Sequence, residues 1–355
     1  MKKVNPKVFS KSQTDLAGDI LRNPHSSEEE KNEALGILSN WRGAHSYPMH
    51  VFKQRLKNVS EKIDPYALSA QRLKRVPSII KKLNREYGGK KATMKLTQMQ
   101  DIAGCRAVVS DVSLAKKLYL GHYIKGDIKH KRVNEKDYIT HPKKDGYRSI
   151  HLIYRYHSDK KGRINFNGLL IEVQIRSKLQ HIWATAVETV DFFTRQAIKS
   201  NQGQEDWADF FRLVSSAFAK SEGCPTIPET PIDEEELYKI IKQKEMELQV
   251  RIKMNRWTKS LKLFDNLKNK TNFHFFLLEL DTIQEKLTIS AYSKRQEQKA
   301  ISDYAAAEKK IYGRGEYDVV LVGADTVKDL KKAYPNYFLD TKEFLINLNK
   351  ILNKH

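Results

Sequence analysis

From residue 171 to residue 176 apolar and polar side chains alternate without a break, Ile171, Val173 and Ile175 against Glu172, Gln174 and Arg176. A period of two is that of a half-buried strand, so a carboxylate, an amide and a guanidinium are expected along one face. Two further apolar runs read as strands. One spans 101–111, with Asp101 at its start and Arg106 within it; the other spans 152–156 and is entered from a loop over 136–151 containing Pro142 and Gly146. Helical spacing predicts helices over 28–41 and, after a Tyr47-Pro48 break, over 49–62. Pro77 fits the first turn of a helix over 77–83 whose apolar side holds Ile80 and Leu83. A helix containing His181, Trp183, Glu188 and Phe192 and another over 207–220 follow the alternating strand, and the three prolines within 223–231 mark a boundary. Beyond it the pattern predicts a long charged helix over 233–262, acidic first and basic later as the helix dipole prefers. From 272 it changes to a small α/β unit: strands over 274–280 and 286–292, a helix over 295–311, a strand over 317–322 and two short helices.

The polar residues in these elements suit phosphate chemistry. Glu172 can hold a metal or take a proton from an attacking hydroxyl, and Arg176 offers a forked donor to phosphate oxygens. A strand arginine such as Arg106 needs a partner or an anion. Arg72, Lys74 and Arg75 stand just before the helix at Pro77, where backbone donors and side-chain cations together make a natural polyphosphate site. Gly146 permits a sharp turn that leaves Tyr147 projecting beside Lys143, Lys144 and Arg148, a platform for stacking a base with phosphate contacts nearby. The plainer reading of that segment is a hairpin loop on a basic surface.

In order and spacing these segments resemble the synthetase domain of the RelA/SpoT family, whose pattern runs R-x-K-x-x-x-S, D-x-x-x-x-R, K-D-Y-I-x-x-P-K-x-N-G-Y-x-S-x-H and E-x-Q-I-R. The resemblance covers roughly residues 45–195. It implies an α+β chain with a nucleotidyltransferase-like mixed β-sheet flanked by helices, moving pyrophosphate from ATP to a ribose hydroxyl. Carried over by position, it makes Arg72, Lys74, Ser78 and Arg106 ATP ligands, and Asp101 and Glu172 the catalytic carboxylates that hold Mg2+. Tyr147, Lys143, His151, Gln174 and Arg176 become acceptor-side residues; Lys136 and His181 match further motif positions. One position departs: Asp145 stands where the family has Asn, and a carboxylate beside the platform repels a nucleotide's phosphates. No His-Asp dipeptide, on which the family's hydrolase domain relies, occurs in the chain.

Composition changes this picture in one respect. A chain of 355 residues with 40% hydrophobic content holds two modest folded domains. No apolar run is long enough for a membrane span or signal peptide, and Cys105 and Cys224 offer neither metal-ligand spacing nor a disulfide framework. No membrane partner is expected, and the resemblance adds a cytoplasmic location. The formal charge of +21 and the pI near 9.6 exceed what a protein handling only free nucleotides needs. Solvated surface lysines are one explanation and an RNA acceptor the sharper one, with basic clusters over 72–95, 125–136 and 251–270.

The tail over 333–341 holds Tyr334 and Tyr337 around a Pro335-Asn336 turn. This Y-x-x-Y segment, the 317–322 strand and the synthetase-like block together resemble the fused toxin–antitoxin CapRel proteins of anti-phage defence. That resemblance implies a toxin domain over 1–222, a hinge and helical connector over 223–271 and an antitoxin-like domain over 272–355. It further implies pyrophosphorylation of the 3′ CCA end of tRNA, which stops translation. Tyr334 and Tyr337 would block the ATP site, and a phage capsid protein would release them. The alternatives are a small (p)ppGpp synthetase using GDP or GTP, and a catalytically silent RNA-binding protein, against which Asp101, Glu172 and the basic ATP-side residues argue.

Overall fold

A computed structural model of the protein describes residues 9–87, 90–91, 93–197, 202–252, 254, 273–281, 286–311, 317–323 and 342–353. It has the expected α+β class, with a mixed five-stranded sheet flanked by helices. Contacts divide the chain into one unit of residues 1–136 and 150–175 and another of 137–149 and 176–355.

The first unit opens on three helices, α1 (Lys11–Arg22), α2 (Glu28–Ala44) and α3 (Ser46–Ile63). Ser10 with Gln13 and Ser27 with Glu30 close capping boxes on the first two. Helix α3 begins before Pro48 instead of after it, because a proline in the first turn has no intrahelical N–H to lose. The sheet runs in the order β1 (Leu68–Leu73), β4 (Ala103–Val109), β7 (Leu170–Ser177), β6 (Ile150–Arg155), β5 (Lys131–Asp137). Between β1 and β4 stand α4 (Val76–Leu83) and a small ribbon, β2 (Glu86–Tyr87) with β3 (Lys90–Lys91). Helix α5 (Val112–Leu118) follows β4.

One face of this sheet is apolar. Ala103, Cys105, Ala107, Ile171, Val173 and Ile175 are buried, and Cys105 Sγ donates to the Met49 carbonyl of α3. Antiparallel register then fixes the other face: Arg72 lies opposite Gly104, Ala70 opposite Arg106, and His151 opposite Gln174. Arg72, Arg106, His151, Glu172 and Gln174 therefore share one side of one sheet.

In the second unit α6 (Lys178–Ala197), α7 (Gln202–Ser221) and α8 (Glu234–Leu248) enclose a core around Trp183, Phe210, Phe211, Phe218 and Leu237. The last helix, Lys342–Leu352, belongs to the same core. Phe344 is fully buried, its ring 5.6 Å from that of Phe211 and 6.1 Å from that of Phe218, and Glu343 pairs with Lys178 at 3.0 Å. Helix α8 does not run to 262. Gln249 takes a left-handed conformation (φ 53°), and the buried Glu245 carboxylate accepts from the backbone N–H and guanidinium of Arg251. Residues 253 and 255–262 of the expected helix lie outside the described residues, as does most of the 251–270 cluster.

Of the small α/β unit read beyond 272, three strands and a helix are described, while residues 324–341 lie outside the described residues and the terminal helix expected in this unit packs instead in the core of α6, α7 and α8. Strands β8 (Phe273–Asp281), β9 (Lys286–Ser293) and β10 (Tyr317–Gly323) form an antiparallel sheet in the order β10-β8-β9. The helix Glu297–Ile311 packs on it, and Leu277, Tyr292, Ala300, Ala307 and Val319 make its core. Among the described residues no helix is long and apolar enough to cross a membrane.

Candidate active site

In the first unit, Asp101 precedes β4 and accepts hydrogen bonds on both oxygens, from Lys74 Nζ at 3.0 Å and Lys82 Nζ at 2.9 Å. Burial, the largest single influence on Asp101, would raise its pKa, but the two lysines together outweigh it and the carboxyl is held below its ordinary value. For Lys74 the balance goes the other way. Burial lowers its pKa, a single carboxylate opposes this, and Lys82 and Arg72 add repulsion, so the net direction is down. The cluster carries more positive than negative charge, which suits a polyanionic guest.

Three strands further organise Glu172. His151 Nδ1 lies 2.8 Å from its Oε1, Gln174 Nε2 donates to its Oε2 at 2.8 Å, and Arg106 Nε donates to Gln174 Oε1 at 3.3 Å. Burial would raise the Glu172 pKa; the hydrogen bond and charge of His151, with help from Gln174, bring it below the ordinary carboxylate value. A Cβ built on Gly104 would stand 3.6 Å from Glu172 Oε2, an ordinary contact.

These causes set a pH expectation. The folded-state pKa of Glu172 is depressed, so the ionised form contributes stability above the ordinary carboxylate value, and this is lost as pH falls through the depressed one. His151→Gln removes the main opposing influence and leaves burial dominant. The acid limb of any activity that needs ionised Glu172 is expected to move to higher pH, read from the pH–rate profile; an unmoved limb contradicts the role given to His151.

The second unit holds the aromatic loop. Tyr147 lies near two cations: Lys143 Nζ is 4.9 Å from its ring centroid, and Arg176 Cζ 5.3 Å. Arg176 Nη2 also donates to the Tyr147 hydroxyl at 2.9 Å, and Lys143 covers the Tyr138 ring at 4.7 Å. Gly146 turns the chain with φ 94°, its N–H donating to the Lys143 carbonyl at 2.9 Å.

Residues 71–192 match the model of the region found in RelA / SpoT proteins. Two curated Bacillus subtilis proteins are similar to this chain: the GTP pyrophosphokinase YjbM, 30% identical over 36% of the chain, and the GTP pyrophosphokinase YwaC, 32% identical over 34%. The matches span 57% and 56% of those relatives' own length. Among solved structures, the small alarmone synthetase 1 of Bacillus subtilis bound to its product pppGpp is 23% identical, covering 50% of this chain and 89% of that one at a TM-score of 0.41. A GTP pyrophosphokinase family protein from Streptococcus pneumoniae is 26% identical, covering 50% and 86% at a TM-score of 0.38.

Within the matched region, the first unit brings together Lys74, Asp101, Arg106, His151, Glu172 and Gln174. Arg72 is exposed on β1, on the face it shares with Arg106, and Ser78 is half-buried on α4. The second unit brings together Lys143, Tyr147 and Arg176, while Lys136 is exposed near the end of β5. His151 and Gln174, expected on the acceptor side, are the hydrogen-bond partners of Glu172. Lys82 was missed by the sequence reading although it stands four residues after Ser78, one turn along the same helix face. Arg148 is not a phosphate contact. It is buried, and its guanidinium donates to the Ile139 carbonyl, Ser215 Oγ and the Pro225 carbonyl, which ties the loop down. Asp145 has a structural use: its carboxylate accepts the Tyr147 N–H at 3.0 Å, the turn contact an asparagine carbonyl makes equally well. Tyr334 and Tyr337 lie outside the described residues.

Asp101 and Glu172 fit a magnesium ion. Both are held as carboxylates, and Mg2+ is bound through one or two such oxygens with substrate phosphates and water completing the shell. Among the described residues no group of three or more His, Cys, Asp or Glu side chains forms a closed metal cage.

Proposed function

We propose that this protein transfers the β,γ-pyrophosphoryl group of ATP to the ribose 3′-hydroxyl at the CCA end of tRNA. The observation that carries the transfer is the Glu172 carboxylate, kept ionised in a buried setting by His151 and Gln174, with Arg106 next in the chain of hydrogen bonds. Glu172 takes the hydroxyl proton as the oxygen attacks the β-phosphorus. The bond from that phosphorus to the α,β-bridging oxygen breaks, and AMP leaves. Arg72, Lys74, Lys82 and Arg106 neutralise the triphosphate, and Tyr147, beside Lys143 and Arg176, stacks the terminal base. A magnesium ion bound by Asp101 and Glu172 supplies further charge neutralisation. The charge of +21 favours a long polyanionic acceptor.

On this reading the C-terminal module restrains a toxic activity in the cytoplasm through Tyr334 and Tyr337, and a phage capsid protein relieves the restraint. The sequence resemblance supports this part. A second reading, transfer to GDP or GTP, is favoured by the names of the curated relatives. The two part on one experiment: γ-labelled ATP is supplied with deacylated tRNA or with GDP, using the full chain and its Tyr337→Ala form. Label in tRNA, at a rate that falls steeply with salt as phosphate contacts release counterions, supports the first reading. Label only in the guanine nucleotide decides for the second. Tyr337→Ala is expected to make the full chain toxic on expression without a trigger, and a harmless, well-expressed variant contradicts the restraint.

A further inference from the structure

The segment bearing Asp101 has little regular structure of its own, a single turn at Leu96–Gln98, yet its residues Leu96, Met99 and Ile102 are fully buried. Helix α1, which lies outside the matched RelA/SpoT region, holds it in place. The Asp15 carboxylate accepts two hydrogen bonds from Thr97, from the backbone N–H at 2.8 Å and the hydroxyl at 3.0 Å. One turn on, Asp19 pairs with Lys95 at 2.7 Å. Between them Gly18 meets Leu96 so closely that a Cβ built on the glycine stands 2.9 Å from Leu96 Cβ. The same helix packs on α4, which carries Lys82, one of the two lysines on Asp101. From the other side Asn134 donates to Gln100 at 3.2 Å.

We propose that α1 is a brace for the metal carboxylate and that Asp15 is a positioning residue, acting on Asp101 through Thr97. The inference rests on the reading of Asp101 as a magnesium ligand. The physical reason is that a carboxylate four residues from its anchor reaches a fixed place only if the intervening backbone is fixed. Here Asp15 supplies the only hydrogen bonds from another element to the turn's central residue, Thr97, among the described contacts. Residues that orient a metal ligand typically matter about 10–100-fold in metal affinity.

The test is a Mn2+ titration of the full chain with a non-hydrolysable ATP analogue, followed by electron paramagnetic resonance, beside the thermal midpoint. Asp15→Ala is expected to raise the half-saturating Mn2+ concentration about tenfold. Asp15→Asn keeps one acceptor oxygen and is expected to recover most of that loss. The transfer assay run at saturating metal is expected to show a nearly unchanged maximal rate. A folded Asp15→Ala protein with wild-type Mn2+ uptake overturns the inference. If that variant does not fold, Thr97→Val decides, since it removes the hydroxyl bond and keeps the shape; there an unchanged titration overturns the inference and a several-fold weakening upholds it. Wild-type protein that takes up no Mn2+ with the analogue instead overturns the reading of Asp101 on which the inference stands.

Discussion

Replacing Glu172 by Gln is expected to lower pyrophosphoryl transfer about 10²–10⁴-fold, the range lost with a positioned general base, while the fold survives. Shape is nearly conserved, and the neighbours can adapt. The oxygen of the new amide can go on accepting from Gln174 Nε2, its NH2 can donate to His151 Nδ1 once that ring changes tautomer, and Arg106 keeps its acceptor on Gln174. What disappears is the charge proposed to take the proton and bind the cation. Transfer of label measured beside the thermal midpoint separates chemistry from folding. A variant within tenfold of wild type removes Glu172 from the reaction.

The second large effect is expected at Gly146. A Cβ there stands 2.8 Å from Trp183 Cζ2 and 3.0 Å from Ser215 Cβ, both inside a packed core, and the backbone φ of 94° is itself unfavourable for an L side chain. Left-handed strain and overpacking each cost on the order of 1–3 kcal/mol, so Gly146→Ala should lose about 2–6 kcal/mol. Gly162 is the control: its φ is 78° and nothing lies within 4 Å, so only the strain remains. Thermal melts of the two variants should differ by several degrees. Equal melts would mean that the loop yields freely. Because Tyr147 follows directly, Gly146→Ala should also raise the KM for the acceptor more than that for ATP.

The alternating run at 171–176 was legible because its period, composition and length all agreed, and strand β7 carries its residues as read. Strand β1 was not, since its large apolar positions fall at the two ends, Leu68 and Leu73, and its pairing with β4 comes from the tertiary fold. Strand β5 was hidden for a different reason. It is an edge strand of almost wholly charged and polar residues, and such edges are kept hydrophilic against unwanted pairing. Helix α1 has too mixed a pattern to stand out, and its importance lies in Asp15 and Gly18, whose partners are some eighty residues away in the chain. Arg148 misled because a sequence shows charge and not burial: beside a projecting tyrosine it reads as a phosphate ligand, whereas it is a clamp on backbone carbonyls.

The place of the last helix has a practical bearing on how the proposed restraint can be tested. Phe344, Leu348 and Ile351 fill the core of α6, α7 and α8, the same core against which Gly146 turns. A stop codon anywhere before residue 342 would uncover Phe211 and Phe218 and leave a sticky apolar hollow. Loss of activity in such a shortened chain would report a damaged scaffold, and a gain would be blunted by aggregation. A protease cut between 324 and 341, by contrast, severs the covalent link while the terminal helix can stay seated as a separate peptide. Nicking at an engineered cleavage site is therefore a cleaner way than deletion to ask what the intervening segment does.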